Sequence, residues 1–287
     1  MSNYIFRLTT CFILLVFPVI PHAVLAQAQN QAKALQVGIL PISTTRVLIK
    51  NYQPLKTYLE HELKRPVELV TAHDFRTFHF NTIAGQYDIV ITAAHLGRLA
   101  QTQANYVPLA RYKAPHRTLL IVAKDLPLKS LQDLRGKVVA GIDPITLAMN
   151  ESMLWLRSQG LRAGTDFTLL ETPSPISAAY SLKNHQSVMA ISSPQGMKQL
   201  PDDLKDSIEI FASLPELPSL MWLAHPRMAA ELPKLKAALL GFTPASTEGA
   251  KFYSATGYIG MREVSKEETL AMEPIAQEVN ILLQRKK

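Results

Sequence analysis

From Leu35 onward the chain alternates two hydrophobic periodicities, and no other feature constrains its fold as tightly. Short apolar, β-branched runs such as "LQVGILPI", "VELVTA" and "DIVITAA" are separated by stretches with apolar residues at helical spacing. In "IKNYQPLKTYLEHELK" these residues are Tyr52, Leu55, Leu59 and Leu63. A strand, a helix and a further strand in succession read as a βαβ unit, which calls for a mostly parallel sheet covered by helices. Pro54 has no N–H to offer, so it must sit in the first turn of its helix or bend the axis. "FRTFHFNTIAGQ" reads as a helix closed by Gly85, "LGRLAQTQ" as the next helix and "YVPLARY" as the next strand.

The rhythm then restarts. "RTLLIVAK" reads as an extended connection, and "LPLKSLQDLRGK" as a short helical turn with Ser130 and Asp133 spaced as a capping-box pair. "VVAGI", "NESMLWLRSQGL", "FTLLE", "ISAAYSLKNH" and "SVMAIS" alternate strand with helix, "SIEIFAS" and "PSLMWLAHP" read as extended, and the remainder is largely helical. Two βα sets of similar size predict an α/β chain of two lobes, a sheet in each, with a hinge and a helical C-terminal tail. The expected boundaries are 27–115 for the first lobe, 116–210 for the second, and 211–287 for the return to the first lobe and the tail.

The beginning of the chain speaks to compartment. Arg7 precedes the apolar run "CFILLVFPVI", and Val24 and Ala26 suit a signal-peptidase cut, so residues 1–26 are expected to be a cleavable signal peptide, with the mature protein starting near Gln27. The run is short for a membrane span and is broken by Pro18 and Pro21, and no later segment reaches that length. Cys11, the single cysteine, lies inside it, which leaves the exported chain without a thiol or disulfide. Lys and Arg outnumber Asp and Glu by 30 to 23, and losing Arg7 lowers the excess from +7 to +6. Such an excess suits anionic ligands. Nucleic acid is not an expected partner, because the basic residues are scattered and the chain is exported.

In open α/β sheets ligands collect at the carboxyl ends of strands, where helix N-termini also point. That places "PISTTR", "TAHDF", "TAAHLG", "DPITLAM", "TPSPIS" and "SSPQG" around a candidate site. Thr44, Thr45 and Arg46 offer two hydroxyls and a guanidinium for an oxyanion, or else form a solvated loop. His95 opens a helix and could donate to a ligand; with Arg98 it could equally be a surface helix start. Thr146 is the one hydroxyl following Asp143-Pro144. Ser192 and Ser193, with Gln195, could donate as well, the plain alternative being that Ser193 caps a helix whose first residue is Pro194. Trp155 and Trp222 read as core or lobe-interface aromatics, Trp222 being the better candidate of the two to stack on a ligand. Tyr112, Lys113, His116 and Arg117 are assigned to the hinge. His73, His79, His95 and His116 match no metal-ligand spacing and read as scattered surface histidines, so no metal or cofactor is expected. GxSxG, Walker and GxGxxG motifs are absent, and an enzyme is not expected.

"VGILPI", "YQPLKTYLEHELKRPVEL", "AGQYDIVI", "SLQDLRGKVVAGIDP" and "HPRMAAELPKLKAALLGF" stand in an order that resembles the periplasmic solute-binding proteins of phosphate, phosphite and phosphonate ABC transporters, over nearly the whole mature chain. The resemblance implies a Venus-flytrap fold that captures a small polar, anionic solute between its lobes and delivers it to a membrane permease. It implies a periplasmic, monomeric, non-enzymatic protein without cofactor; the alternative is a ligand-sensing module of the same fold acting on a membrane receptor. The chain departs from the family's ligand shell at several points. After Asp143-Pro144 the family usually has Ser, Thr and Gly, where this chain has only Thr146 as a hydroxyl. A Gly-Pro loop with Ser and Tyr is replaced by Ala93, Ala94 and His95, and an acidic residue by Ser192 and Ser193.

Overall fold

The computed structural model describes residues 33–285, so the expected signal peptide and the cut near Gln27 lie outside the described residues. Strand β1 (Leu35–Ile39) leads to helix α1 (Thr45–Leu63), β2 (Val67–Val70), α2 (Phe75–Ile83), β3 (Ile89–Ala93), α3 (Ala94–Ala104) and β4 (Val107–Tyr112). The chain then enters a second sheet as β5 (Leu119–Ala123), followed by β6 (Val138–Gly141), α4 (Leu147–Ser158), β7 (Thr168–Glu171), α5 (Pro175–Lys183), β8 (Met189–Ser192), α6 (Pro194–Lys198), α7 (Asp202–Lys205) and β9 (Ile208–Ser213). It returns through β10 (Leu220–Ala224), and α8 (Leu232–Gly241), α9 (Thr247–Thr256), β11 (Met261–Arg262), α10 (Lys266–Leu270) and α11 (Glu273–Gln284) complete it. No helix among the described residues is long and apolar enough to cross a membrane.

Each lobe holds one sheet. The first has the order β11-β4-β10-β3-β1-β2 and the second β7-β6-β8-β5-β9. In the first, β1 runs parallel to β2 and β3, while β10 is antiparallel to β3 and β4. In the second, β6 runs parallel to β7 and β8, with β5 antiparallel to β8 and β9. The run "RTLLIVAK" is therefore no connection: β5 is buried along its whole length between two partners. Its uninterrupted apolar character is that of a strand covered on both faces.

The first helix buries Leu48, Tyr52, Leu55, Leu59 and Leu63, a stripe at i, i+4, i+7, i+11 and i+15. Pro54 lies well inside α1, past the first turn, so the Lys50 carbonyl goes without an intrahelical donor. Trp222 of β10 is fully buried in the core of the first lobe, 6.4 Å from Tyr112 in an edge-on pair. It packs the sheet as a core aromatic, the first of the two roles the sequence offered, and that burial does not suit stacking on a ligand. The Ser130–Asp133 pair forms a capping box on a short 3-10 turn, Leu131–Leu134.

The chain passes between the sheets twice, in segments 113–118 and 214–219. There His116 and Leu217 exchange backbone hydrogen bonds of 2.8 and 3.0 Å, so the two crossings run side by side as an antiparallel pair.

Candidate functional site between the lobes

Parallel neighbours carry their following helices from the same edge of a sheet. Helices α1, α2 and α3 therefore start along the carboxyl edge of the first sheet, and α4, α5 and α6 along that of the second. These edges face one another: His95, in the first turn of α3, places Nε2 2.9 Å from the carbonyl of Ile145, just ahead of α4. A second contact runs from the Gln195 side chain of α6 to the carbonyl of Thr256 at the end of α9, 3.3 Å away. On the outside of the closed pair, Arg157 of α4 holds Glu278 of α11 through two bonds of 2.9 and 3.3 Å.

The side chains singled out in the sequence divide into two groups. Thr44, Thr45 and Arg46 are exposed at the start of α1. Thr44 caps that helix, its Oγ1 accepting from the N–H of Val47 at 3.4 Å. Thr45 lines a shallow groove with Ile49, Leu69, Thr71, His73 and Thr77 along the edge strand β2. His95, Thr146 and Ser192 are buried. Thr146 stands at the N-cap position of α4, yet its Oγ1 donates backwards to the carbonyl of Asp143 at 2.8 Å. Ser193 caps α6 by accepting from the N–H of Gly196 at 3.1 Å, with Pro194 in the first turn, while the neighbouring Ser192 Oγ is buried without a partner.

A carbonyl can only accept, so Nε2 of His95 carries the hydrogen in its bond to Ile145, and the other ring nitrogen, Nδ1, is buried with no partner. Burial pushes the His95 imidazole down to about 4, and the neutral ring is the form present near neutrality. His116 and His79 are likewise pushed down to about 4, chiefly by burial. The expectation of scattered surface histidines thus gives way to three neutral rings, His79 and His95 buried and His116 half-buried. No group of three or more His, Cys, Asp or Glu among the described residues is arranged to hold a metal.

Two features at this edge escaped the sequence reading. Glu151 is buried on α4, where Thr118 donates to its Oε2 at 2.5 Å and Thr118 in turn lies 3.1 Å from His116 Nε2. Burial raises its carboxyl to about 7, with the Thr118 hydrogen bond acting against the shift. The signal was present in "LAMNESML": Leu147, Glu151 and Leu154 fall at i, i+4 and i+7, so an acid interrupts an apolar stripe. The second feature is apolar. Ile145 and Leu147, at the α4 edge of the second lobe, pack in one cluster with Leu40, Ala93, Ala94, Met221 and Met272 of the first.

Residues 37–269 match the family described as the periplasmic substrate-binding protein of phosphonate ABC transporters. The chain belongs to this family. Family membership makes it a periplasmic substrate-binding protein, one that takes a small ligand for an ABC permease. Among solved structures, PhnD1 from Prochlorococcus marinus, in complex with methylphosphonate, is similar with a TM-score of 0.74 and 16% identity, over 86% of this chain and 98% of that one. XAC2383 from Xanthomonas citri, bound to ATP, has a TM-score of 0.75 and 18% identity over 86% and 98%. The VFT2 domain of BvgS from Bordetella pertussis shares the fold more loosely, with a TM-score of 0.53 and 12% identity over 79% and 93%. At these identities the likenesses speak for the two-lobed fold alone.

Proposed function

We propose that this phosphonate-family binding protein captures a small polar, anionic solute between its lobes, pivoting on the paired crossings at 113–118 and 214–219, with lobe boundaries near residues 115 and 210. The observation that carries the reading is the meeting of two sheet edges lined with helix N-termini, whose free N–H groups favour negative charge. Exposed Thr44, Thr45 and Arg46 and the partly buried Ser193 form the entry, and His95, Thr146 and Ser192 stand behind it, reached as the lobes part. Arg46 has no hydrogen-bond or ion-pair partner among the described residues, which leaves its guanidinium for a ligand. The protein works as a monomer without enzymatic activity, exported by cleavage of residues 1–26.

A thermal-shift screen of residues 27–287 against phosphate, phosphite, phosphonates, sulfate, carboxylates and amino acids tests this, because a ligand that binds only the folded state must raise its Tm. A phosphorus oxyanion is expected to give the largest shift, and no shift with any anion would sink the reading. Arg46→Ala is expected to weaken binding of that anion by about 1.5–3 kcal/mol, the range for a hydrogen bond to a charged group. Unchanged affinity in calorimetry would remove Arg46 from the site. A sensing module acting on a membrane receptor is the second reading, supported by the fold shared with a histidine kinase sensor domain. Adjacent permease and ATPase genes favour delivery, whereas an adjacent sensor kinase gene favours sensing.

A further inference from the structure

We propose that the two lobes latch shut without a ligand, through an apolar plug of Ile145 and Leu147 bolted by His95, and that protonation of His95 releases the latch. The inference rests on the reading of the chain as a two-lobed binding protein, and goes beyond it by assigning the closing force to the protein itself. In such a protein a ligand shifts the lobes only by its differential affinity for the closed state. Here Ile145 and Leu147, 4% and 6% exposed, already fill the space between the start of α4 and the first lobe's Leu40, Ala93, Ala94 and Met272. Opening would return this apolar surface to water, and it would also break the Gln195–Thr256 and Arg157–Glu278 contacts at the rim.

The bolt is sensitive to protonation for a structural reason. His95 is fully buried and spends its one N–H on the Ile145 carbonyl, while Nδ1 faces no partner. An imidazolium would bring a second N–H into a place with no acceptor. The neighbouring titratable groups offer no relief. From α2 comes the buried ring of His79 and from the first crossing the half-buried ring of His116, both pushed down to about 4. From α4 comes Glu151, whose carboxyl already accepts from Thr118 on its own side of the cleft. On α11 Glu273 is held by Arg98, and on α10 Glu268 by Arg111 and Arg262.

The sign follows from linkage. With the lobes closed, burial holds His95 at about 4, and opening, which returns water to the ring, moves it back toward the ordinary histidine value near 6.5. The contribution of His95 to closure is therefore complete above about 6.5 and is lost as the pH falls toward 4. A full return would change the closed-to-open ratio by at most on the order of a hundredfold.

The mature chain has no cysteine, so Lys198→Cys on α6 and Lys251→Cys on α9, both at exposed positions, allow a spin-label distance to be measured across the cleft. Without any ligand, a single short distance is expected at pH 7.5 and a growing long-distance population at pH 5, reversibly and with the helical circular-dichroism signal retained. His95→Gln keeps an amide donor for the Ile145 carbonyl but does not titrate, and should stay closed at both pH values. Ile145→Asn should open the lobes at pH 7.5. A long distance in the ligand-free protein at pH 7.5 would overturn the proposal. So would a pH response unchanged in His95→Gln, or loss of the helical signal in step with the distance. Addition of methylphosphonate at pH 5 probes the other reading separately: failure to close the lobes would count against phosphonate capture and leave the latch standing.

Discussion

At the scale of single residues, Glu151 is the most informative side chain. The residue is 7% exposed, and its carboxyl accepts one hydrogen bond from Thr118 and is raised by burial to about 7. A group whose value is higher in the folded state than in the unfolded chain, near 4.5, stabilises most below the lower value and loses that contribution as the pH rises through the higher one. The folded protein should therefore lose roughly 2–3 kcal/mol from this group between pH 4.5 and pH 8, since each unit is worth about 1.4 kcal/mol. Urea unfolding at pH 5, 6, 7 and 8 checks it: Glu151→Gln should flatten the alkaline slope and exceed the wild type at pH 8. An identical slope in the variant would assign the pH dependence elsewhere. Thr118→Val removes the one hydrogen-bond donor to this carboxyl among the described residues and should cost about 1–3 kcal/mol in the same measurement.

Elements were legible where the signal is local. The Ser193-Pro194 start of α6 and the α1 stripe need only neighbouring residues to form, and both stand where the sequence placed them. β5 was misread because a continuous apolar run has no period, and its partners β8 and β9 lie about 70 and 90 residues farther along the chain. The two-residue strand β11 exists only by pairing with β4 and has no local signature. Helix α9 offers a test of how tertiary contact overrides propensity. Alanine normally exceeds glycine inside a helix by about 1 kcal/mol. At Gly249, however, a Cβ would lie 1.9 Å from the carbonyl oxygen of Thr243 and 2.7 Å from Ser246 Oγ. Gly249→Ala should accordingly destabilise by about 2 kcal/mol or more, lowering the Tm by several degrees. An unchanged or raised Tm would show that the N-terminal turn of α9 shifts freely.

On the scale of the whole molecule, α11 joins what the crossings separate. It packs on α3 through Ile275, Ala276 and Val279, is tied to the first lobe by Arg98–Glu273 and Gln103–Asn280, and reaches the second through Arg157–Glu278. The paired crossings leave Lys113 and Arg117 exposed. Brief trypsin treatment should nick there first, ahead of sites within the two sheets; resistance of both sites would argue against accessible crossings.

The sequence by itself determined the alternation of strand and helix, the two βα sets, most helix starts and the family, because periodicity, caps and motif order are written in residues close along the chain. Only the tertiary structure decided what fills the cleft. His95 and Ile145 are 50 residues apart, and their contact, like the burial that neutralises His95 and raises Glu151, exists only once two sheet edges are brought together. Burial and the loss of water around a polar group belong to the assembled lobes, so His95, Thr146 and Ser192 read as ligand donors in the sequence and stand buried in the fold, while Thr44, Thr45 and Arg46 stay exposed.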